Sequence, residues 1–478
     1  MKSIRQIGIL FLLLLVPFNS LQGAERAMPN VIFILTDDSG CGDWTTYGGE
    51  QGPTPNIDRL ASEGTKFTQF YVASPICSPS RAAFTTGVYP ARLLINNYLQ
   101  SRAGNAASDQ VNWLDPKWPT LARTLKTSGY ATAHFGKWHM GGGRDVQDAP
   151  LPSAYGFDEF HVNCEGMGPR FENFGNAKQP TLNTADGKSY FRYDFTQYWV
   201  DRSIDFIKRH RNDPFYLELW PQDVHTPHTP SAEALARTAV PVLPQNQHNF
   251  RAVLNEYDHQ IGRFLEALRD MGLATNTIVV FSADNGPEPS FRHARTLGQR
   301  GMKWSLYEGG IHEPFFVRWP GKVPAGKVNA TTVLASVDYF ATICALVGVN
   351  PPGDAIFDGN DMSQVWLGGE ESRPSPLFWE YGRNPTDYLY PRPDPKDKSP
   401  NVAVRDGNWK LLVDADGSNL ELYNLLDDPT ETKNLAVEQT NETMRLRALA
   451  LKWRQSLPHS TNTQKPGQVK GQANGEEW

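Results

Sequence analysis

Short apolar runs alternate with amphipathic stretches along most of this chain. The runs are rich in aliphatic and aromatic residues, which is typical of buried strands, whereas the amphipathic stretches carry apolar residues at helical spacing. The predicted strands are 31–35, 130–135, 215–219 and 277–281, and the predicted helices include 121–127, 195–211 and 250–271. This alternation predicts an α/β fold, an α/β/α sandwich around a large, mainly parallel (mixed) central sheet.

The pattern changes at both ends of the chain. A basic start followed by a short apolar run predicts a signal peptide at 1–24, because the run is too short to span a bilayer. The alternative is an N-terminal membrane anchor. A large main domain is predicted at 25–370. Proline-rich sequence then leads into short strand-like runs and a helix, which predict a smaller C-terminal subdomain at 371–460 with a short antiparallel sheet. The polar residues 461–478 are predicted to be a disordered tail.

Composition narrows the class of partner. The chain carries 46 basic and 52 acidic residues, a balance that argues against nucleic acid. A local cleft can still bind an anionic substrate. The four cysteines, Cys41, Cys77, Cys164 and Cys344, are too few for a disulfide scaffold and match no zinc motif. The predicted signal peptide, and not the composition, is the reason to expect an exported protein, periplasmic or secreted, without stable membrane insertion.

Ionisable or metal-binding side chains lie just past the C-terminal ends of four predicted strands. They are Asp37 and Asp38, Lys137 and His139, His225, and Asp284 and Asn285. In open α/β sheets, ligands bind at the carboxyl ends of the strands. Carboxylate and amide oxygens favour Ca²⁺ or Mg²⁺ over zinc. Alone, Asp37-Asp38 is better explained as a helix-capping turn and Asp284-Asn285 as a plain turn, but together the two pairs predict one metal site.

The segment from Cys77 to Arg81, with sequence Cys-Ser-Pro-Ser-Arg, has the pattern of a helix start. Pro79 suits the first turn, and Ser78 is expected to cap the helix. Cys77 and Arg81 would then form an anion-facing pair at the helix N-terminus. The alternative is a buried cysteine beside a surface arginine.

This segment, followed by Thr-Gly-Val-Tyr-Pro at 86–90, resembles the signature of the type I, formylglycine-dependent sulfatases of the alkaline phosphatase superfamily. The resemblance covers about residues 29–436. Further segments that resemble the family are 37–38, 136–139, 214–217 with His225, 284–286, 301–303, 308–310 and 422–429.

The resemblance implies that a formylglycine-generating or sulfatase-maturing enzyme oxidises Cys77 to formylglycine. One hydroxyl of the hydrated aldehyde would attack sulfur, and the second would allow sulfate to be expelled afterwards. The family implies Ca²⁺, with Mg²⁺ as the alternative. The implied metal site consists of Asp37, Asp38, residue 77, Asp284 and Asn285.

The resemblance also implies roles for basic residues. Arg81 and Lys137 would hold the formylglycine hydroxyls, and His139 would take the proton when sulfate is released. Lys303 and His225 would bind sulfate oxygens, and one of them would protonate the leaving alcohol. His228 competes with His225 for its role, and the distance from Pro214 favours His225.

Export and the resemblance together suggest a sulfated saccharide as substrate. Candidate contacts are His293, Arg295, Arg300 and His312, with Asn96, Arg102, His161 and Glu165 as further candidates. Each is alternatively a surface or structural residue. His312 stands where the family often has arginine, which leaves that contact open.

The predicted activity is that of a sulfuric ester hydrolase that cleaves the S–O bond. One alternative is an arylsulfatase of broad specificity, and another is a phosphatase or phosphodiesterase on the same scaffold. Such phosphate enzymes usually present Ser or Thr as nucleophile, unlike Cys77. A third alternative is a polysaccharide-binding protein in which Cys77 stays a thiol.

Overall fold

A computed structural model describes residues 28–164, 182–183, 189–239, 243–353, 355–383 and 395–458 of the chain. The predicted signal peptide at 1–24, the predicted tail at 461–478 and Glu165 lie outside the described residues.

The described elements are numbered in chain order. The strands are β1 (Asn30–Thr36), β2 (Thr65–Phe67), β3 (Phe70–Tyr71), β4 (Ala131–Lys137), β5 (Glu159–Asn163), β6 (Leu182–Asn183), β7 (Ser189–Tyr190), β8 (Phe215–Trp220), β9 (Thr277–Ala283), β10 (Phe315–Arg318), β11 (Lys327–Asn329), β12 (Leu334–Ala335), β13 (Leu377–Glu380), β14 (Val402–Asp406), β15 (Trp409–Val413) and β16 (Glu421–Asn424). The helices are α1 (Pro55–Ser62), α2 (Cys77–Thr86), α3 (Arg102–Ala107), α4 (Leu121–Thr127), α5 (Phe195–Arg209), α6 (Ala232–Arg237), α7 (Gln245–Asp270), α8 (Glu308–Ile311), α9 (Asp338–Val347), α10 (Ser363–Trp366) and α11 (Thr440–Gln455).

The main sheet is mixed and mostly parallel, which confirms the predicted fold class. Within the described residues it has the order β11-β2-β10-β9-β1-β8-β4-β5. Strand β10 pairs antiparallel with both β9 and β2, and the other pairs are parallel. Every residue of β1, β8 and β9 is buried, as expected for strands that are covered on both faces.

The central strand β1 divides the interior into two cores. Its residues Val31, Phe33 and Leu35 pack in one core with buried residues of α2 and α9. Ile32 and Ile34 pack on the other side with buried residues of α5 and α7. Because neighbouring side chains of a strand point to opposite faces, the continuous apolar run of β1 serves both layers. This arrangement is the α/β/α sandwich that the sequence predicted.

The predicted antiparallel C-terminal sheet is present, in the order β13-β14-β15-β16, with α11 packed against it. It shares a continuous hydrophobic core with the α2 and α9 side of the main sheet. Trp379 of β13 is buried, and its indole nitrogen donates to the carbonyl of Val72, 2.8 Å away. The division at residue 370 stays a prediction.

The parallel register brings the carboxyl ends of the central strands together. Thr36 at the end of β1 lies beside Ala283 at the end of β9, and Gly136 of β4 lies beside Trp220 of β8. The polar residues that follow these strands therefore meet at one edge. In the part of the chain described here, no helix has the length and apolar character needed to cross a bilayer.

Candidate active site

Cys77 lies at the start of helix α2 and is buried, with 2% of its surface exposed. Its sulfur lies 3.4 Å from Lys137 Nζ, 3.7 Å from Asp37 Oδ1 and 3.8 Å from Asp38 Oδ1. Burial raises the pKa of the Cys77 thiol well above its usual range. An unmodified Cys77 would therefore remain protonated at neutral pH and be a poor nucleophile.

The predicted cap of α2 is wrong. Ile76, in extended conformation, precedes the first helical residue and no side chain caps the helix. Ser78 lies inside the helix, and its Oγ accepts a hydrogen bond from Leu99 N at 2.9 Å. Ser78 therefore fixes the segment around Leu99 against the helix start.

Carboxylates from two strand ends converge on Cys77. An oxygen of Asp37, an oxygen of Asp284 and the Cys77 sulfur all lie within 4.8 Å of one another. The Asp38 amide donates to Asp284 Oδ1 at 3.1 Å, and Asn285 Nδ2 donates to Asp38 Oδ1 at 2.8 Å. These contacts join the segments that follow β1 and β9.

The acidic cluster has the donor atoms for a hard divalent cation. Asn285 Oδ1 is buried and finds no hydrogen-bond donor among the described residues. Burial raises the pKa of Asp284 to about 7, against the opposing effect of Arg81. An oxygen without a partner and a crowded carboxylate are both features that a bound cation would satisfy.

Arg81 is completely buried, which excludes the alternative of a surface arginine. Its Nε lies 2.9 Å from Asp284 Oδ2, and its Nη2 lies 3.3 Å from Asp37 Oδ1. Its Nη1 donates to the backbone carbonyl of Lys137 at 2.8 Å. Lys137 Nζ in turn lies 2.7 Å from Asp37 Oδ2. Burial would raise the pKa of Asp37, but Lys137, His225 and Arg81 hold it well below its usual value.

Lys303 and His225 lie on the other side of the carboxylates. Lys303 Nζ is 2.6 Å from Asp38 Oδ2 and 3.4 Å from His225 Nε2. Burial lowers the pKa of Lys303, but the Asp38 carboxylate outweighs burial and raises it overall, so the amine is charged. The His225 side chain is 23% exposed, compared with 6% for Lys303. The cluster therefore opens to solvent on the His225 side.

His228 does not face this cluster. Its Nε2 donates to the Val224 carbonyl at 3.1 Å, and its ring packs on Phe250 with the ring centres 4.9 Å apart. Burial, together with Arg295, lowers the pKa of His228 to about 3, so it is neutral. The structure places His225, and not His228, beside Asp38.

His139 follows Lys137 in a left-handed backbone conformation, with a φ of 49°. Its Nε2 lies 3.1 Å from the Leu99 carbonyl. Burial and the nearby charges of Lys137 and Arg81 hold the pKa of His139 well below its usual value. His139 is thus a neutral imidazole next to the cationic side of the cluster.

Arg295 is not a substrate contact, contrary to the sequence prediction. It is completely buried, and its Nε lies 2.9 Å from Asp43 Oδ1. Its Nη2 donates to the backbone carbonyl of Asp38 at 2.7 Å, and its guanidinium lies 4.3 Å from the ring centre of Phe250. Arg295 therefore supports Asp38 from behind.

Arg300 and His312 bind other parts of the protein, and their predicted contact with substrate stays a prediction. Arg300 Nη1 donates to the Tyr423 hydroxyl at 2.9 Å, and its guanidinium stacks on Tyr307. His312 Nε2 donates to the Thr68 carbonyl at 2.7 Å. Neither side chain is directed at the cluster around Cys77.

The remaining candidate contacts have mixed surroundings. His293 is partly exposed, and its Nε2 lies 3.1 Å from Asp397 Oδ2. Asn96 is buried and bonded within its own loop, and Arg102 lies on the surface beside Asp148. His161 lies 3.2 Å from the Tyr198 hydroxyl. The described contacts bring none of these side chains into the cluster.

Sequence reasoning missed a buried carboxylate, Glu313, near the acidic cluster. Glu313 is buried, and neither of its carboxylate oxygens has a hydrogen-bond partner among the described residues. Burial, with Asp43 and Asp284 nearby, raises the pKa of Glu313 well above its usual value. A single glutamate after a glycine pair is inconspicuous, and only an alignment of relatives could have singled it out.

The Arg295→Met variant is expected to lose about 3–5 kcal/mol of unfolding free energy, because Asp43 would keep a buried charge without its partner. Denaturant unfolding measures this loss. The matched control is Arg445→Met, which breaks an exposed pair with Asp406 and should cost less than about 1 kcal/mol. Equal stability of the two variants would contradict the assigned role of Arg295.

Comparisons with known proteins agree with the geometry. A family model described as Sulfatase matches residues 29–349, and one described as N-sulphoglucosamine sulphohydrolase, C-terminal, matches residues 301–455. The chain is 34% identical over 380 residues to N-acetylgalactosamine-6-sulfatase of Canis lupus familiaris, covering 74% of this chain and 69% of the relative. It is 29% identical over 495 residues to N-acetylgalactosamine-6-O-sulfatase of Bacteroides thetaiotaomicron, covering 87% and 91%. Among solved structures, Ps i-CgsB in complex with k-i-k-neocarrahexaose superposes with a TM-score of 0.76 at 25% identity, covering 92% of this chain and 95% of that one.

Proposed function

Since this chain belongs to the sulfatase family and is a sulfuric ester hydrolase, we propose that it removes sulfate from a saccharide at a centre built on residue 77. The observation that carries the proposal is the position of Cys77. Its sulfur contacts two carboxylates and the Lys137 ammonium within 3.8 Å, at a helix N-terminus. This arrangement fits an anionic substrate held between cations.

The proposed cofactors are a divalent cation and a formylglycine made from Cys77. Asp37, Asp38, Asp284 and Asn285 would hold Ca²⁺, or alternatively Mg²⁺, next to residue 77. The ion would neutralise sulfate charge and lower the pKa of the nucleophile, and the formylglycine hydrate would supply that nucleophile. A maturing enzyme is the partner that this conversion requires.

Basic side chains of the protein would stabilise the negative charge on the oxygens of residue 77 and of the sulfate. Arg81 and Lys137 are fixed by Asp37 and Asp284 on the inner side of the cluster, where they can hold the oxygens of residue 77. Lys303 and His225 lie at the opening, where they can bind sulfate oxygens. Since Lys303 carries a proton in this arrangement, it is the better placed donor to the leaving alcohol.

His139 is proposed as the base that accepts a proton from residue 77 when sulfate is released. Its low pKa keeps the ring neutral, so one nitrogen can accept. The hydrogen bond from Nε2 to the Leu99 carbonyl places the accepting lone pair on Nδ1. The neighbouring cations limit how long His139 would keep the proton.

The proposed substrate class is a saccharide that carries N-acetylgalactosamine-6-sulfate. Two relatives whose alignment with this chain spans more than two thirds of the relative's length are named for the 6-sulfatase activity on N-acetylgalactosamine. Export is proposed from the basic start and the short apolar run of residues 1–24. An exported enzyme would meet such saccharides outside the cytoplasm.

Turnover of matched chromogenic esters tests the proposal. Aryl sulfate should be hydrolysed much faster than the same aryl phosphate, and N-acetylgalactosamine-6-sulfate should be desulfated faster than its 4-sulfate isomer. Mass spectrometry of the peptide that contains residue 77 reports conversion of the cysteine in the same preparation. Faster hydrolysis of phosphate by converted protein would instead support a phosphatase, and an unconverted thiol in protein from the native host would support a binding protein.

Paired histidine variants test the proposed opening. His225→Gln is expected to lower kcat/KM by about 10²–10⁴-fold, because it removes a group that faces the substrate side. His228→Gln is the matched control and should change kcat/KM by less than about 10-fold. Steady-state kinetics on an aryl sulfate measures both, and the reverse order of effects would assign the role to His228.

A further inference from the structure

The segment that carries Lys303 is held to both halves of the candidate active site. We call residues 301–308 the lysine loop. The Lys303 amide donates to the Pro287 carbonyl at 3.0 Å, and the Trp304 amide donates to the Pro75 carbonyl at 2.9 Å. Pro287 lies two residues beyond Asn285, and Pro75 lies two residues before Cys77. The tip of the loop is therefore fixed to the segments that carry the metal ligands and the nucleophile.

The rest of the lysine loop is bound by side chains from the C-terminal part of the chain. Three loop amides donate to side-chain oxygens that lie about 90 or more residues away in sequence. The pairs are Gly301 with Asp397 Oδ1 at 3.1 Å, Leu306 with Ser399 Oγ at 2.9 Å, and Glu308 with Glu431 Oε2 at 2.7 Å. Because backbone amides make these bonds, they constrain the path of the loop and not merely one side chain.

A buried lysine of the C-terminal sheet completes this attachment. Lys410 of β15 is fully buried, and its Nζ lies 2.8 Å from Glu308 Oε1 and 2.9 Å from Glu431 Oε1. The Tyr71 hydroxyl donates to the other Glu308 oxygen at 2.6 Å. Lys410 thus joins the end of the lysine loop to the carboxylate that receives the Glu308 amide. Buried charges are retained only when such partners are in place.

Nothing in the contacts of Lys410 suggests a direct role in chemistry. Its Nζ contacts the carboxylates of Glu308 and Glu431, which are themselves buried, and neither of these contacts involves the cluster around Cys77. Lys303 Nζ, by contrast, lies 2.6 Å from Asp38 and 3.4 Å from His225. The two lysines are connected by the backbone of 303–308.

We propose that Lys410 is a positioning residue for Lys303, so that the C-terminal sheet sets the geometry of the sulfate-binding ammonium. The inference rests on the proposed function of Lys303. A displacement of about 1 Å at a reacting centre costs up to about 10²-fold in rate, so a loosened lysine loop lowers kcat. The C-terminal sheet is then part of the working enzyme even though it supplies no group to the cluster.

The test is a double-mutant cycle between Lys410→Met and Lys303→Ala, with Lys433→Met as the matched control. Lys433 lies in the same part of the chain and pairs with Glu438 on the surface. Lys410→Met is expected to lower kcat on an aryl sulfate by about 10–100-fold. In the Lys303→Ala background the same change is expected to lower kcat less than about 3-fold. An equal loss in both backgrounds, or full activity of Lys410→Met, overturns the proposal.

Hydrogen–deuterium exchange gives a readout that does not depend on turnover. Amides of 301–308 are expected to exchange at least about 10-fold faster in Lys410→Met than in Lys433→Met, while those of β1 and β9 keep their protection. Unchanged exchange in the lysine loop overturns the proposal. If Lys303→Ala retains wild-type turnover while exchange in the loop increases, the role of Lys303 in the proposed function fails and the attachment by Lys410 stands.

A milder variant covers the case in which Lys410→Met does not fold. Ser399→Ala removes only the acceptor of the Leu306 amide and leaves the buried charges paired. It is expected to lower kcat by about 3–10-fold and to lose that effect in the Lys303→Ala background. A reduction of kcat that persists in that background overturns the proposal.

Discussion

Cys77→Ala is expected to lower kcat/KM on sulfate esters by about 10⁴-fold or more and to leave the fold intact. Residue 77 is the proposed nucleophile, and alanine offers no atom that can attack sulfur. The side chain packs at the first turn of α2, where alanine suits the helix and removes only a small buried volume. Steady-state kinetics and thermal unfolding of the purified variant measure the two effects.

The matched control for this variant is Cys344→Ala. Cys344 is buried in α9 and packs in the core instead of at the cluster. Its replacement should leave kcat/KM unchanged within about 3-fold, with a stability loss of about 1–2 kcal/mol from the lost apolar contacts. Full activity of Cys77→Ala would show that catalysis does not pass through residue 77.

Asp284→Asn is expected to lower kcat/KM by about 10³-fold, because a bound cation contributes several kcal/mol of transition-state stabilisation. Added Ca²⁺ is expected to raise the Tm of the wild-type protein, and the variant should lose most of that rise. A ligand at 100 times its Kd stabilises by about 2.7 kcal/mol, which is readily seen in thermal unfolding. Tm with added Ca²⁺ and with chelator, in both proteins, measures the effect.

Asp358→Asn is the matched control for the metal prediction. Asp358 binds Arg92 and the Tyr89 amide, away from the strand ends that hold the cluster. Its variant should lose stability but keep the Ca²⁺-dependent rise in Tm. If that rise persists in Asp284→Asn, the carboxylate of Asp284 does not bind the ion.

Local sequence pattern was enough to find the central strands. The predicted runs 31–35 and 277–281 fall within β1 (Asn30–Thr36) and β9 (Thr277–Ala283). A parallel strand that is buried along its whole length has a continuous apolar run, and such a run can be recognised in the amino-acid sequence alone. Short peripheral strands such as β11 lack such a run, since few of their residues are buried. Their places in the sheet depend on pairing with distant strands.

The cluster around residue 77 was also predictable, for a topological reason. Parallel strands end at one edge, so the residues that follow β1, β4 and β9 must meet there. Strand topology does not predict the positions of residues that do not follow a strand end. Lys303 was predicted through the family resemblance alone, and the structure places it beside Asp38 and His225.

The layer architecture, the strand ends and the family could all be predicted from the amino-acid sequence, because periodicity and short motifs are local properties of the chain. The role of each isolated polar residue, by contrast, became clear from the folded structure. Arg295 belongs with Asp43 and Lys410 with Glu308, partners that lie 252 and 102 residues away. Whether a charged side chain contacts solvent, substrate or a buried partner depends on how distant segments of the chain pack. A local sequence pattern does not predict that packing.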